Sequence, residues 1–317
     1  MSEDGAAIGA RLRERDLGAA PAALNLLEST SPTDREQAAK IMRELSPDAL
    51  GGEAPAHVIG VTGPPGAGKS TLLSALLRAW RGDGRTVAML AVDPSSRRSG
   101  GSLLGDRARI DFDPSDRGVL IRSTAAGERL GGLARATRQS ADALAAAFDV
   151  VVIETVGVGQ AETEVADVAD TIAVIVQPGG GDVLQFLKSG IMEIPDVLVV
   201  TKADLGALAT ATRRDLSAAL RSLGASDTPV LAVSSLPPPS GIGELASALA
   251  EHRARLDVAA RRLSARRASA LTEFVAEHGE RGLRALGGRS AARKLLSAQA
   301  PGLDVPALVA ALEQSMT

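Results

Sequence analysis

The sequence predicts an α/β protein with a doubly wound, mostly parallel sheet and helical extensions at both ends. Between His57 and Leu256, short apolar runs alternate with helical stretches, and each run is continuously apolar. Continuous apolarity is typical of strands that are covered on both faces, as in a parallel sheet. Aromatic residues make up only 2% of the chain and tyrosine is absent, so the core must consist mainly of aliphatic residues. This composition favours helices packed on such a sheet.

The first 55 residues are predicted to be helical. Ser31 is expected to cap a helix that has Pro32 at its first position and Ile41 and Leu45 among the apolar residues of one face. Glycine and proline between residues 51 and 55 interrupt this pattern, and the first apolar run follows at His57. We therefore expect an N-terminal helical extension over residues 1–55.

The central region, residues 56–256, is predicted to form the α/β domain. Its predicted strands are His57–Val61, Val87–Val92, Val119–Ile121, Val150–Ile153, Ile172–Val176, Val197–Val200 and Val230–Val233. Its predicted crossover helices include Ser70–Arg81, Gly132–Ala147, Ala207–Leu223 and Ile242–Leu256. Helices between parallel strands pack on both faces of the sheet, which predicts the doubly wound layout.

The last region, residues 257–317, is rich in arginine and alanine and is predicted to be helical, with breaks at Gly287 and Pro301. The sequence suggests too little hydrophobic mass for this region to fold alone. We expect it to pack on the core or on a second subunit. The alternative is a partly disordered basic tail.

Composition excludes several classes of function. Lys+Arg number 35 and Asp+Glu number 38, a balance that predicts no general attraction to nucleic acid or to an anionic membrane. The chain has no cysteine, which excludes disulfides and thiolate metal sites, and its three histidines leave little for zinc or nickel. The N-terminus lacks the apolar run of a signal peptide, and no apolar run approaches a membrane span. A cytoplasmic location is expected.

A phosphate-binding motif follows the first predicted strand and precedes a predicted helix. It consists of Gly63, Pro64, Pro65, Gly66, Ala67, Gly68, Lys69, Ser70 and Thr71, and it satisfies the P-loop pattern G-x-x-x-x-G-K-[ST]. The glycines let backbone N–H groups turn toward phosphates, Lys69 reaches the β and γ oxygens, and Ser70 offers a Mg²⁺ ligand. The alternative is a glycine-rich turn without a ligand, but the strand and helix on either side favour nucleotide binding.

A second motif lies at the end of the predicted strand Val150–Ile153. Glu154 is placed to hold Mg²⁺ through water, and Gly157 to offer its N–H to the γ-phosphate. Many small GTPases have a glutamine after this glycine that orients the attacking water. Here the residue is Val158, which cannot hydrogen-bond, so another group must position the water. Read alone, Glu154 could also be an ordinary carboxylate at a strand end.

A third motif selects the base. Thr201, Lys202 and Asp204 follow the predicted strand Val197–Val200 in the N/T-K-x-D pattern. Asp204 can accept hydrogen bonds from the ring N–H and the exocyclic amine of guanine, a donor pair that adenine lacks, and Lys202 is expected to lie along the base and the P-loop. After the last predicted strand, one backbone N–H is expected to meet the guanine carbonyl oxygen, within the segment Ser234, Ser235 and Leu236.

Further segments give the chain a family resemblance between about Ala56 and Arg255. They are Asp93-Pro94-Ser95-Ser96, Arg98, Gly100-Gly101-Ser102, Leu104-Gly105-Asp106, Glu154 through Gln160, Pro178 through Asp182, Gln185, and Lys188 through Gly190. With the P-loop and base motifs, this ordered set closely resembles the methylmalonyl-CoA mutase-associated GTPases, also called MeaB-type or ArgK-type, of the SIMIBI class of P-loop GTPases. Thr201, where the family usually has Asn, and Arg97, where a smaller residue is common, depart from the pattern.

The resemblance implies a G-protein chaperone of an adenosylcobalamin-dependent acyl-CoA mutase, one that gates cofactor loading and protects the enzyme. Its cofactors are GTP or GDP and Mg²⁺. Asp93, Asp106 and Glu154 match the acidic positions around the metal and the attacking water, and Asp106 is the residue we expect to orient that water. Residues 177–190 match a loop that couples the nucleotide state to the partner. A homodimer formed through residues 257–317 is expected by the same analogy.

Other classes of protein share parts of this pattern. A nickel-insertion maturation GTPase has the same core fold but normally brings Cys and His ligands, which the absence of cysteine disfavours. An ATP-using kinase or transport ATPase shares the P-loop and the acidic residues, and Asp204 separates it from a GTPase. A third class is a scaffold that binds nucleotide only to fold.

Overall fold

The computed structural model describes residues 4–93, 110–125, 135–155, 164–179 and 195–316. Within them, seven strands form one sheet in the order β3-β2-β4-β1-β5-β6-β7. The strands are β1 (His57–Thr62), β2 (Val87–Asp93), β3 (Val119–Ala125), β4 (Val150–Thr155), β5 (Thr171–Val176), β6 (Val197–Val200) and β7 (Val230–Ala232). Every paired strand is parallel to its neighbour, so the predicted α/β class with a parallel sheet is confirmed.

The helices alternate with the strands in the central region and continue at both ends. They are α1 (Gly5–Arg13), α2 (Ala20–Glu28), α3 (Pro32–Glu44), α4 (Pro47–Leu50), α5 (Lys69–Gly82), α6 (Arg135–Ala147), α7 (Ala207–Ser222), α8 (Ile242–Arg255), α9 (Val258–Ala285), α10 (Arg289–Ser297) and α11 (Val305–Gln314). None of the helices among the described residues combines the length and the apolar character that crossing a membrane requires.

Each predicted apolar run forms a strand. The two strands at the edges of the sheet show why some predicted bounds differ from the observed ones. The prediction for β3 stopped at Ile121, whereas the strand continues to Ala125. Arg122, Ser123 and Thr124 are polar, which β3 tolerates because it is an edge strand of the described sheet, where burial on both faces is not required. At the other edge, β7 is only partly buried along its length.

The chain divides into two compact units. One comprises residues 57–134 and 149–256 and contains the whole sheet. Its core is aliphatic, as the composition predicts, and side chains such as Ile59, Leu73 and Val152 are almost fully buried. Burial of each such side chain stabilises the fold by about 1.5–3 kcal/mol. Trp80 of α5 belongs to the same cluster.

The second unit comprises residues 1–56, 135–148 and 257–317 and is entirely helical among the described residues. It includes α6, although this helix connects β3 to β4 in the chain. Arg262 of α9 donates from its two terminal nitrogens to the carbonyls of Ala54 (2.6 Å) and Ala56 (2.7 Å). Arg266 forms a two-pronged ion pair with Glu53 at 2.9 and 2.8 Å. These bonds join the N-terminal and C-terminal segments within this unit.

The C-terminal region corrects one expectation. Residues 270–312 contain a buried hydrophobic cluster of their own, built around Phe274, Leu283, Leu296, Leu308 and Leu312. The region has more hydrophobic mass than expected, because apolar residues spread over three helices share one core, and it forms one compact unit with residues 1–56 and 135–148. The alternative of a partly disordered tail is wrong, since α9, α10 and α11 are formed.

Candidate nucleotide-binding site

The predicted site residues that the structure describes collect at the carboxyl-terminal end of the sheet. They lie at the ends of β1, β2, β4, β6 and β7 or directly after them, and these strands are parallel. The carboxyl ends of parallel strands meet at the same edge, which is where open α/β sheets bind their ligands. The topology thus assembles motifs that lie far apart in the sequence.

The loop after β1 has the backbone that a phosphate cradle needs. Gly63, Gly66 and Gly68 have positive φ angles of 148°, 77° and 86°. A Cβ on Gly63 would lie 2.1 Å from the carbonyl oxygen of Ile175 on β5, so no side chain fits there. The loop leads directly into α5, which starts at Lys69 and directs the positive end of its dipole toward the loop.

Lys69 is buried within this loop, with 8% of its surface exposed. Its Nζ donates to the carbonyl oxygens of Gly63 at 2.7 Å and Pro64 at 3.3 Å. The loop therefore holds the ammonium group at its own centre. A phosphate placed in the loop would meet this charge together with the backbone N–H groups.

Two oxygen ligands for a cation meet beside the loop. The hydroxyl of Ser70, in the first turn of α5, donates to Oε1 of Glu154 at 3.3 Å. Glu154 belongs to the end of β4 and is 9% exposed. Hydroxyl and carboxylate oxygens are the donors that Mg²⁺ prefers. The chemistry of this pair suits a magnesium ion next to the phosphate loop, and the magnesium site stays a prediction.

The remaining predicted metal and catalytic residues are described only in part. Asp93 is the last residue of β2, and its backbone pairs with Ala125 of β3. Asp106 and Gly157 lie outside the described residues. Thr71 is exposed in the first turn of α5.

Thr201 ties the base motif to the phosphate loop. Its hydroxyl lies 2.6 Å from the carbonyl oxygen of Ala67 and 3.1 Å from that of Val176, and only 3% of the residue is exposed. A hydroxyl has one proton, so the two carbonyls share it. Threonine therefore anchors the loop without the amide that asparagine would add.

Lys202 and Asp204 lie directly after β6, next to the phosphate loop and the segment after β7. Lys202 has a left-handed backbone, with φ of 53°, and its Nζ donates to the carbonyl oxygen of Gly66 at 3.2 Å and to Oε1 of Gln177 at 2.6 Å. The hydroxyl of Ser234 donates to Oδ1 of Asp204 at 2.7 Å. The contact with Gly66 lays the lysine along the P-loop, as expected.

The segment after β7 approaches the base motif. The N–H of Ala203 donates to the carbonyl of Val233 at 3.0 Å, which fixes the two loops side by side. The N–H of Leu236 lies 3.4 Å from the hydroxyl oxygen of Ser234, while Ser235 is half-buried. The sequence predicted only a backbone role for this segment. The hydroxyl of Ser234, which orients Asp204, was missed.

Gln177 was also missed as a partner of the base motif. It is half-buried and follows β5, at the same sheet edge as the other motifs. That topological position was the one signal available from the sequence. A glutamine at a strand end has many possible partners, so the contact with Lys202 could not be inferred.

The histidines lie elsewhere. His57, at the start of β1, and His252, in α8, lie 2.7 and 2.8 Å from the hydroxyl of Thr171, at the opposite edge of the sheet. His278 hydrogen-bonds Glu313 at 2.9 Å in the helical unit, where Glu277 is the third residue of a possible metal-binding group. Within the unit that contains the sheet, His57 and His252 therefore lie near the amino-terminal end of β5, away from the phosphate loop.

Comparisons with known proteins agree with this geometry. A family model described as "Methylmalonyl Co-A mutase-associated GTPase MeaB" matches residues 20–284. A putative GTPase from Pyrococcus abyssi is 41% identical over 265 residues, which cover 81% of this chain and 78% of that protein. A probable GTPase from Mycobacterium tuberculosis is 42% identical over 249 residues, covering 76% of this chain and 73% of that protein.

Among solved structures, a LAO/AO transport system kinase matches with a TM-score of 0.67 and 27% sequence identity. The match covers 98% of this chain and 96% of that chain, so it extends over both compact units. The matched family model likewise spans most of the chain. The chain therefore belongs to the methylmalonyl-CoA mutase-associated GTPase family, MeaB, and is a P-loop GTPase.

Proposed function

We propose that this GTPase is a chaperone of an adenosylcobalamin-dependent acyl-CoA mutase of the methylmalonyl-CoA mutase type. In this role it gates cofactor loading and protects the mutase from inactivation, and GTP hydrolysis times the exchange. The observation that carries the proposal is the match of residues 20–284 to a family named for its association with that mutase. The nucleotide site supports it because a timed exchange requires a bound nucleotide.

Residues of the described site have distinct roles in this proposal. The backbone amides of residues 63–71 and the ammonium of Lys69 bind the phosphates, and Asp204 reads the guanine edge. Ser70, Asp93, Asp106 and Glu154 form the magnesium site. Bound there, Mg²⁺ would neutralise charge on the β- and γ-phosphates.

Within that site, the existing hydrogen bonds define what must change when nucleotide binds. The ammonium of Lys69 exchanges the carbonyl of Gly63 for phosphate oxygens, which are stronger acceptors because they are charged. Ser70 and Glu154, now hydrogen-bonded to each other, are the residues whose oxygens would hold the cation. Gly157 offers its N–H to the γ-phosphate, and Asp106 orients the attacking water. Val158 leaves the usual glutamine position without a hydrogen-bonding group, so we expect slow hydrolysis in the absence of a partner.

The partner assignment is tested with purified proteins. We expect the chain to co-elute in gel filtration with an adenosylcobalamin-dependent acyl-CoA mutase, and its hydrolysis of GTP to accelerate when the mutase is added. A mutase that uses the same cofactor but acts on a different class of substrate, such as an amino acid, serves as the control. Fast hydrolysis by the chain alone, or no effect of any acyl-CoA mutase on elution and rate, would count against the proposal.

We also propose a homodimer formed through residues 257–317. The support is the family analogy, together with the folded helices of that region. Light scattering coupled to gel filtration should give twice the mass of the 32.3 kDa chain. A monomeric mass at all concentrations would exclude it.

Two other functions are less well supported. A nickel-insertion GTPase needs soft or imidazole ligands near the nucleotide, and the histidines make hydrogen bonds elsewhere. An ATP-using kinase or transport ATPase would not need a carboxylate at the base. Asp204 held by Ser234 favours guanine.

A further inference from the structure

The ammonium of Lys202 is held by two carbonyl oxygens from different parts of the sheet edge. One is the backbone oxygen of Gly66 in the P-loop, at 3.2 Å, and the other is the side-chain oxygen of Gln177 after β5, at 2.6 Å. The contact with Gln177 is the shorter by 0.6 Å. Since Lys202 itself follows β6, its side chain spans three neighbouring segments.

A lysine in this exposed position would not stay extended without such contacts. Lys202 is exposed, and a free lysine side chain carries about 2 kcal/mol of rotamer entropy. Its left-handed backbone sets the direction of the Cα–Cβ bond, but it does not fix the position of the ammonium group. The single, longer bond to Gly66 fixes the end only weakly. The second hydrogen bond, to Gln177, therefore determines whether the four methylene groups of Lys202 stay in one extended conformation.

Gln177 is itself well placed to act as a fixed acceptor. It is half-buried, and the buried Pro178 that follows restricts the backbone at this point. Gly179, next in the chain, approaches Leu208 of α7 so closely that a Cβ would lie 3.0 Å from Cδ2 of that leucine. The segment 177–179 thus runs close to the start of the helix that follows the base motif.

We propose that Gln177 is a positioning residue for the nucleotide base. By holding the ammonium of Lys202, it keeps the methylene stem extended next to Asp204, so that the base meets a preformed apolar wall. The inference rests on the proposed guanine site. Preorganised contacts increase affinity because the ordering of the side chain precedes binding.

The proposal separates three contributions to nucleotide affinity. The P-loop binds phosphate, Asp204 reads the edge of guanine, and the stem of Lys202 supports the face of the base. Gln177 acts only on the third. Its loss should weaken binding of any nucleotide whose base reaches the stem, and should leave phosphate binding and the preference between guanine and hypoxanthine unchanged.

The test compares variants at this one contact by calorimetric titration. Gln177→Met keeps the length of the side chain but removes the acceptor, and Gln177→Glu keeps an acceptor oxygen. The ligands are GDP, IDP, whose hypoxanthine lacks the exocyclic amine, and inorganic tripolyphosphate. Gln299→Met, in the helical unit, is the matched control, and thermal unfolding verifies that each variant is folded.

We expect Gln177→Met to weaken the binding of GDP and of IDP by the same factor, about fivefold. This is a typical cost of losing a partly exposed hydrogen bond to a charged group. Tripolyphosphate binding should not change. Gln177→Glu should stay within about twofold of the unmodified protein. In a Lys202→Met background, Gln177→Met should have no further effect, because the group that it positions is absent.

The proposal is overturned if Gln177→Met binds GDP as the unmodified protein does, or if Gln177→Glu loses as much affinity as Gln177→Met. An equal loss for tripolyphosphate would overturn it too, since that result means a distorted P-loop. Failure of the guanine site itself would be visible separately, as an unmodified protein with no preference for GDP over ADP.

Discussion

Thr201 stands where this base motif usually has asparagine, and its hydroxyl group connects the motif to the P-loop. It joins the end of β6 to the P-loop through the carbonyl of Ala67, at 2.6 Å. The buried position makes the bond valuable, because an unpaired carbonyl inside the protein costs about 1–3 kcal/mol. The departure from the usual motif therefore leaves the loop anchored.

Lys69 and Asp106 provide the residue-scale test of catalysis. We expect Lys69→Ala to abolish nucleotide binding, since it removes the ammonium at the centre of the loop. Asp106→Ala should keep binding and slow hydrolysis, because its proposed role is to orient water. Binding is measured by calorimetry and hydrolysis by phosphate release. Unchanged turnover in Asp106→Ala would remove that residue from the mechanism.

At the scale of elements, α6 and α9 share charged groups within the helical unit. Arg135, the first residue of α6, forms an ion pair with Glu273 of α9 at 3.0 Å. The other carboxylate oxygen of Glu273 is buried and has no hydrogen-bond partner among the described residues. Burial raises the pKa of Glu273 to about 7, although Arg135 and Arg138 oppose the shift. Burial likewise raises the pKa of Asp142, on α6, to about 6.

This arrangement predicts a pH-dependent stability. A carboxyl whose pKa is higher in the folded state binds more protons when folded, so its contribution is complete below the unfolded pKa, 4.5 for Glu273. The contribution is lost as pH rises through about 7. Glu273→Gln mimics the protonated form at every pH. Relative to the unmodified protein, this variant should therefore gain about 1 kcal/mol or more of stability between pH 5 and pH 8.

Thermal unfolding across this pH range measures the difference. Glu36→Gln, at an exposed position of α3, is the control for the loss of a carboxylate far along the chain from Glu273. A constant difference between Glu273→Gln and the unmodified protein from pH 5 to pH 8 would contradict the assignment.

At the scale of the whole molecule, the strands of the sheet were predictable and the grouping of helices was not. Continuous apolar runs predict each strand, because burial on both faces leaves a clear local pattern. Ser70 meets Glu154 because β1 and β4 are parallel and also adjacent in the sheet, and the sequence did not predict the strand order. Helix α6 lies between two strands in sequence but belongs to the unit that contains both ends of the chain. Nothing local in residues 135–147 indicates this, since any amphipathic helix could cover the sheet.

The core of the C-terminal region escaped prediction for a related reason. Phe274 and Leu312 are far apart in sequence, yet both are fully buried in one cluster. The helix that carries Leu312 is apolar, but α9, which carries Phe274, is rich in arginine, so its sequence gives no strong signal of a buried face. Contacts such as those of Gln177 and Ser234 with the base motif are of the same kind, because they depend on how loops meet and not on residue type.

Nucleotide preference tests the central claim most directly. Calorimetric titration of the unmodified protein in the presence of Mg²⁺ should show GDP binding at least tenfold tighter than ADP, because only guanine offers two donors to Asp204. Asp204→Asn should weaken the binding of GDP and strengthen the binding of xanthosine diphosphate. The base of the latter offers one donor and one acceptor to the new amide. Equal affinity for GDP and ADP, or an Asp204→Asn variant with unchanged preference, would contradict a site that reads guanine.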